Sequence, residues 1–212
     1  MKKILIAIAL FISVLSMNVM AQSDSIKEPN LLDDVLSLDT KPTNLLPDRI
    51  LFTQRIFWGE KGLMRNFNAF ELSPEERQRE LKIRRTMLVA HQTMGLLTAG
   101  AMVAQGIVGA RLYNGHINLR ETHETLAGIV NFGYFTTASL SLFAPPKMLD
   151  ERKGYSSIKL HKALAIIHLS GMIATNILAT QLEAHPELRP YHRAVALTTF
   201  GAFATSMIVI KF

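Results

Sequence analysis

Hydrophobic and polar positions along the chain fall into blocks rather than one mixed pattern. Lys2 and Lys3 lead an apolar run from Ile4 to Leu15 that closes on Val19-Met20-Ala21. Charge, length and small-residue ending are those of a secretory signal, which puts the mature start at Gln22, or of an uncleaved anchor with the same orientation. From Gln22 to about Arg85 the pattern is polar and mixed, with Pro29, Pro42 and Pro47 in a loosely structured arm up to Asp48. "ILFTQRIFWGEKGLMRNF" then mixes Trp58 and several phenylalanines with basic residues, a composition suited to a membrane interface. Ser73 to Glu76 forms a capping box with Pro74 at the first helical position. A short polar helix is predicted there, running straight into the apolar region.

Four apolar segments follow, at Thr86–Leu112, Glu124–Phe143, Ile158–Leu182 and His192–Ile210. Each approaches the ~20 residues that cross hydrocarbon, and the links between them are short. Short links make successive helices antiparallel neighbours. The pattern predicts an all-α membrane protein, an up-down four-helix transmembrane bundle behind a signal peptide and a short extracytoplasmic arm. Its divisions are 1–21, 22–85 and 86–212. No internal repeat of fixed period is evident.

Composition sharpens this picture in three places. There is no cysteine, which removes disulfides, thiolate nucleophiles, iron–sulfur clusters and thiolate-linked haem. The net charge of +6 would suit nucleic acid, but an exported chain does not meet it. Basic residues at span ends facing lipid headgroups or an anionic cofactor fit better. Arginines and lysines divide evenly between Arg111, Arg120, Arg189 and Arg193 on one side and Lys147, Arg152, Lys153 and Lys159 on the other. Orientation therefore follows the signal, with the arm on the periplasmic side of a bacterial inner (cytoplasmic) membrane.

The candidate chemistry lies in the histidines. "KLHKALAIIH" carries His161 and His168 seven residues apart on one face of a helix. An imidazole in hydrocarbon is costly without a partner. His91 and His161 enter from the outer side on spans one and three, His123 and His192 from the inner side on spans two and four. Those spans are diagonal in an up-down bundle, so the histidines pair across it at two depths, as bis-histidine ligation of haem requires. Four residues after each paired histidine stands Gly95, Ala127, Ala165 or Ala196, which leaves room for a flat ring system. His168 competes with His161 as outer ligand or serves as its polar neighbour. Arg120, Lys162 and Arg193 stand beside the paired histidines, where anionic propionates would end. His116 and His185 fall in solvated loops, and Gln92, Gln105, Asn131 and Asn176 are placed for interhelical hydrogen bonds.

Other signals fail. "HETLA" has Ala127 where a zinc-protease helix needs a second histidine. Ser156–Lys159 matches S-x-x-K without a companion motif. No G-x-S-x-G or Gly-rich phosphate loop occurs. Met87, Met94, Met102, Met172 and Met207 suit packing rather than ligation.

The stretches "AHQTMGLLTAG", "HETLAGIVNFG", "KLHKALAIIHLSGMIATNILAT" and "YHRAVALTTFGAFATS" resemble the four-helix core of the cytochrome b561 family, transmembrane dihaem electron carriers. The resemblance covers about residues 86–211 and is one of pattern. It implies two haem b groups per chain, His91, His161, His123 and His192 as axial ligands, and electron transfer between a donor and an acceptor that the sequence does not name. Flanking spans present in many members are missing, and residues 22–85 have no counterpart, which leaves them as a surface for a protein partner. Two rivals remain at this level. One is a haem-free scaffold or assembly protein whose histidines hydrogen-bond between helices. The other is a proton or metal transporter, for which a mid-span carboxylate is wanting.

Overall fold

The structure is a computed structural model and describes residues 45–148 and 154–211. The expected signal peptide and the arm through Asn44 lie outside the described residues. Helix α1 spans Phe52–Trp58, and two 3₁₀ turns follow at Leu63–Asn66 and Asn68–Phe70. Four long helices come next: α2 (Pro74–Tyr113), α3 (Arg120–Leu142), α4 (Ser157–Gln181) and α5 (Arg189–Lys211). Single 3₁₀ turns, Ile117–Leu119 and Pro186–Leu188, lead into α3 and α5. No strand occurs among the described residues.

The predicted capping box starts α2. Ser73 Oγ accepts the Glu76 N–H at 3.2 Å, Pro74 takes the position whose N–H is not needed, and Glu75 and Glu76 face the positive end of the helix dipole. The polar helix and the first apolar segment are one element of 40 residues. It stops at Asn114, where Gly115 turns the chain at φ 95°, a conformation glycine adopts without penalty. Ser156 caps α4 likewise, accepting the Lys159 N–H at 3.3 Å.

Among the described residues, three helical stretches are long and apolar enough to cross a membrane: Pro74–Tyr113, Ser157–Gln181 and Pro186–Ile210. The sequence predicts four spans, and α3 does not reach that standard. Asn131, Tyr134, Thr136, Thr137, Ser139 and Ser141 dilute its apolar run. Much of that polarity is satisfied within the protein. Asn131 Nδ2 donates to Asn176 Oδ1 at 2.8 Å and Asn176 Nδ2 returns a bond to Asn131 Oδ1, while Thr137 Oγ1 donates to the Gly133 carbonyl at 2.7 Å.

Helices pack as two hairpins, α2 with α3 and α4 with α5, and α2 also touches α5. Glycine sets the closeness within each hairpin. A Cβ at Gly133 would lie 2.6 Å from Thr98 Oγ1, and one at Gly171 would collide with Thr199. The Asn131–Asn176 amide pair ties α3 to α4 across the hairpins. Between the hairpins lie Ala99, Val130, Tyr134, Met172 and Phe203. Outward faces remain apolar, with Phe132 74% and Ile166 69% exposed. Lipid is the solvent that such faces suit.

The segment before α2 folds onto the α3–α4 connection. Five consecutive carbonyls, from Leu142 to Pro146, each accept a side-chain hydrogen bond: from Thr53 (2.7 Å), Trp58 Nε1 (2.8 Å), Gln54 (2.9 Å), Arg84 (2.6 Å) and Arg77 (3.0 Å) in that order. Beneath them, fully buried Glu80 pairs with both Arg65 and Arg77. Trp58 is buried, and its indole N–H takes the Phe143 carbonyl that helix α3 leaves unpaired.

Candidate functional site

His91 on α2 and His161 on α4 meet edge-on across the two hairpins, with ring centroids 6.3 Å apart and planes at 85°. A metal bound between two ring nitrogens at about 2 Å each separates ring centres by roughly 6 Å. Each ring is held from behind by its own hairpin. His91 Nδ1 lies 2.8 Å from the Thr137 carbonyl of α3, and His161 Nδ1 lies 2.9 Å from the Ser206 carbonyl of α5. A carbonyl only accepts, so Nδ1 carries the proton, and in a neutral ring Nε2 is then the lone-pair nitrogen. A second hydrogen bond that fixes the tautomer and orients the ring is how proteins prepare a histidine for a metal.

His192, at the start of α5, follows the same rule, with Nδ1 3.2 Å from the Thr175 carbonyl of α4. His123, at the start of α3, lies within electrostatic range of His192 and packs over Gly109, where a Cβ would stand 2.8 Å from its Cε1. Its partner is a side chain instead. Gln105 Nε2 lies 3.3 Å from His123 Nε2, and both His123 Nδ1 and Gln105 Oε1 are buried without a partner. Two adjacent orphaned groups mark the inner pair as the less settled of the two.

His168 is occupied elsewhere. Its Nδ1 is 2.6 Å from the Tyr134 hydroxyl, and its ring meets Tyr134 and Phe203 edge-on at 5.6 and 5.2 Å. It lies near His91 and His161 but is enclosed by aromatic rings. Among the charged candidates, Arg120 reaches Glu124 at 3.4 Å and Glu183 at 3.5 Å, and all three are exposed. The Arg193 guanidinium sits 4.6 Å from the Tyr113 ring centre. Lys162 is exposed on α4 beside His161. His116 and His185 are exposed, as expected of loop residues.

These contacts expose a regularity that a search for one fixed period misses. His161 stands seventy residues after His91, whereas His192 and Ser206 stand sixty-nine after His123 and Thr137. Met102 and Met172, Gln105 and Thr175, Tyr134 and Phe203 correspond in the same way. The two hairpins therefore repeat one arrangement of residues, and the single extra residue, Gly115, shifts the period at the loop. "HINLRETH" (116–123) and "HPELRPYH" (185–192) share His-x-x-Leu-Arg-x-x-His at that loop. Each histidine pair joins equivalent positions of the two copies. The acceptors for His91 and His161 are equivalent too, as are the residues beside His123 and His192.

No group of three His, Asp or Glu side chains converges among the described residues. Pairs of imidazoles underfill the shell of a bare transition-metal ion. Two are what a metal needs when a macrocycle already supplies four nitrogens. Comparison with known proteins brings nothing further: no family model, curated protein or solved structure matches the chain.

Proposed function

We propose that the chain is a membrane-bound b-type cytochrome that carries electrons through two bis-histidine haems, with His91 and His161 holding the outer one and His123 and His192 the inner one. The observation that carries this reading is the pairing of equivalent histidines across the two copies. Three of the four give Nδ1–H to a backbone carbonyl and keep Nε2 for a metal. The pattern-level resemblance to the cytochrome b561 family points the same way. Haem supplies reversible one-electron chemistry at iron; the protein's residues set ligation, burial and access. Carbonyl-bound Nδ1–H groups hold the imidazoles at a fixed angle and raise their basicity, which favours ferric iron. Gly95 and Ala165, one turn beyond the outer ligands, limit side-chain bulk beside them. Fourteen residues separate His123 from Thr137, about 21 Å of helix between the two levels. Tyr134, His168 and Phe203 fill the space just inside the outer level.

In this reading α3 crosses the membrane with the other three, its Asn131 and Tyr134 bonded to α4 and its Thr137 to the α3 backbone. The outer level lies on the periplasmic side, beside the segment folded onto residues 142–146. Electron donor and acceptor meet the protein at its two ends. The haem-free scaffold is the second reading, supported by the Asn131–Asn176 pair and by histidines that already bond between helices.

Protein produced with ample haem and purified in detergent is expected to be red, with about two haems per chain and low-spin bis-histidine bands on reduction. A folded, colourless protein sinks the electron-carrier reading and leaves the scaffold. For orientation, a reporter fused after Phe212 is expected to be active on the periplasmic side, since an export signal and four crossings return the end outward. Cytoplasmic activity from that fusion would mean an odd number of crossings.

A further inference from the structure

The two hairpins give the molecule an alignment with itself. Most positions differ between the copies, yet the loop leading into α3 and α5 keeps His116/His185, Leu119/Leu188, Arg120/Arg189 and His123/His192. Leu119 and Leu188 are half-buried at the helix starts, so packing accounts for them. His123 and His192 are the paired imidazoles. Arg120 and Arg189 are exposed and begin their helices, so neither the core nor the helix requires arginine there.

Their position suggests what they hold. Each stands one turn before its histidine, on the same face and about 4.5 Å nearer to water. Haem carries two carboxylates on one edge. A site whose two axial ligands come from equivalent positions offers that edge one equivalent cation from each side. Helix N-termini add their own partial positive charge at the same place. The other basic candidates lack this equivalence: Arg193 is matched by Glu124, and Lys162 by Gln92. We propose, resting on the haem reading above, that Arg120 and Arg189 are an equivalent pair of anchors for the two propionates of the inner haem, one from each copy. Arg120 exchanges its exposed contacts with Glu124 and Glu183 for a carboxylate at little cost, since exposed pairs contribute little.

The test measures haem transfer from the purified full-length protein to excess apomyoglobin. Arg120→Gln and Arg189→Gln are expected to speed loss of one haem by about tenfold, or about 1.4 kcal/mol, the size of a charge-assisted hydrogen bond. The two effects should agree within about twofold, and the lysine variants should recover part of the loss. The second haem should leave at its original rate. Arg111→Gln, whose counterpart is Gln181, serves as the control, and His123→Ala identifies the inner haem by removing it. The proposal is overturned if His123→Ala removes a haem while both arginine variants release it no faster than the control. It is equally overturned if Arg193→Gln has the effect and Arg189→Gln does not. A haem-free, folded wild-type protein overturns the haem reading itself, and this inference with it.

Discussion

His161→Ala and His91→Ala are each expected to halve the haem content and leave the other haem spectrally intact. His168→Ala is expected to keep both haems. The ring pair at 6.3 Å is the basis: His91 and His161 meet edge-on, each steadied by a carbonyl of its own hairpin. If these two hold a haem as proposed, removing either would take away a ligand, and a replacement by water would change the spin state that the spectrum reports. His168 has its Nδ1 committed to Tyr134 and its ring enclosed by Tyr134 and Phe203. Its loss changes the polarity beside the outer haem rather than the ligation, so the outer midpoint potential should move while the inner one stays. Tyr134→Phe removes the hydroxyl that orients His168 and should shift the same potential in the absence of haem loss. If His168→Ala strips a haem and His161→Ala only perturbs it, the outer ligand is His168 and the outer haem lies deeper. Should none of these changes affect haem content, the histidines hold helices together and nothing more.

Much of this site was legible in the sequence because its information is periodic. Seven-residue and one-turn spacings place His161, His168, Gly95 and Ala165 on faces, and short loops make diagonal partners of spans one and three. The Ser73 cap and the continuous helix behind it follow from local rules alone. Contacts between side chains and distant carbonyls are not periodic. Nothing in the sequence says that Thr137 and Ser206 hold the histidines, or that Thr53, Gln54, Trp58, Arg77 and Arg84 share out the carbonyls of residues 142–146. Trp58 is one such case: aromatic and basic composition describes an interface equally well whether the ring faces lipid or a helix end. Helix α3 falls short of the other three in apolar length because polar residues interrupt it, and the partners of Asn131 and Tyr134, on α4, cannot be read from the sequence. The duplication was visible in His-x-x-Leu-Arg-x-x-His, but Gly115 breaks the register between the two helices of the unit. Only the paired contacts showed that both offsets belong to one repeat.

Glu80→Gln should open the segment packed over the α3–α4 connection while leaving the haem content unchanged. Glu80 is fully buried and is the carboxylate shared by Arg65 and Arg77, whose side chains are 9% and 1% exposed. Arg65 also donates to the carbonyls of Trp58, Gly59 and Phe70, and Arg77 to those of Leu45 and Pro146. Carbonyl dipoles solvate these guanidinium groups but do not neutralise them. Without the carboxylate, two cations remain in a space with little water, and breaking a buried pair in this way costs roughly 3–5 kcal/mol. The least costly relief is for residues 52–70 to lift away, because the hairpins are packed through Thr98–Gly133, Thr199–Gly171 and the core between them without that segment. Trp58 reports the event without a label. It is the only tryptophan in the chain, it is buried, and its indole N–H is bonded to the Phe143 carbonyl. In Glu80→Gln its emission should move to the red and become open to iodide quenching, and limited proteolysis should cut near Lys61 or Arg65. Replacing Arg65 or Arg77 singly with Gln should do less, since Glu80 then keeps one partner. Unchanged Trp58 emission and quenching in Glu80→Gln would show that the carbonyl contacts suffice to hold the segment and that the ion cluster is dispensable.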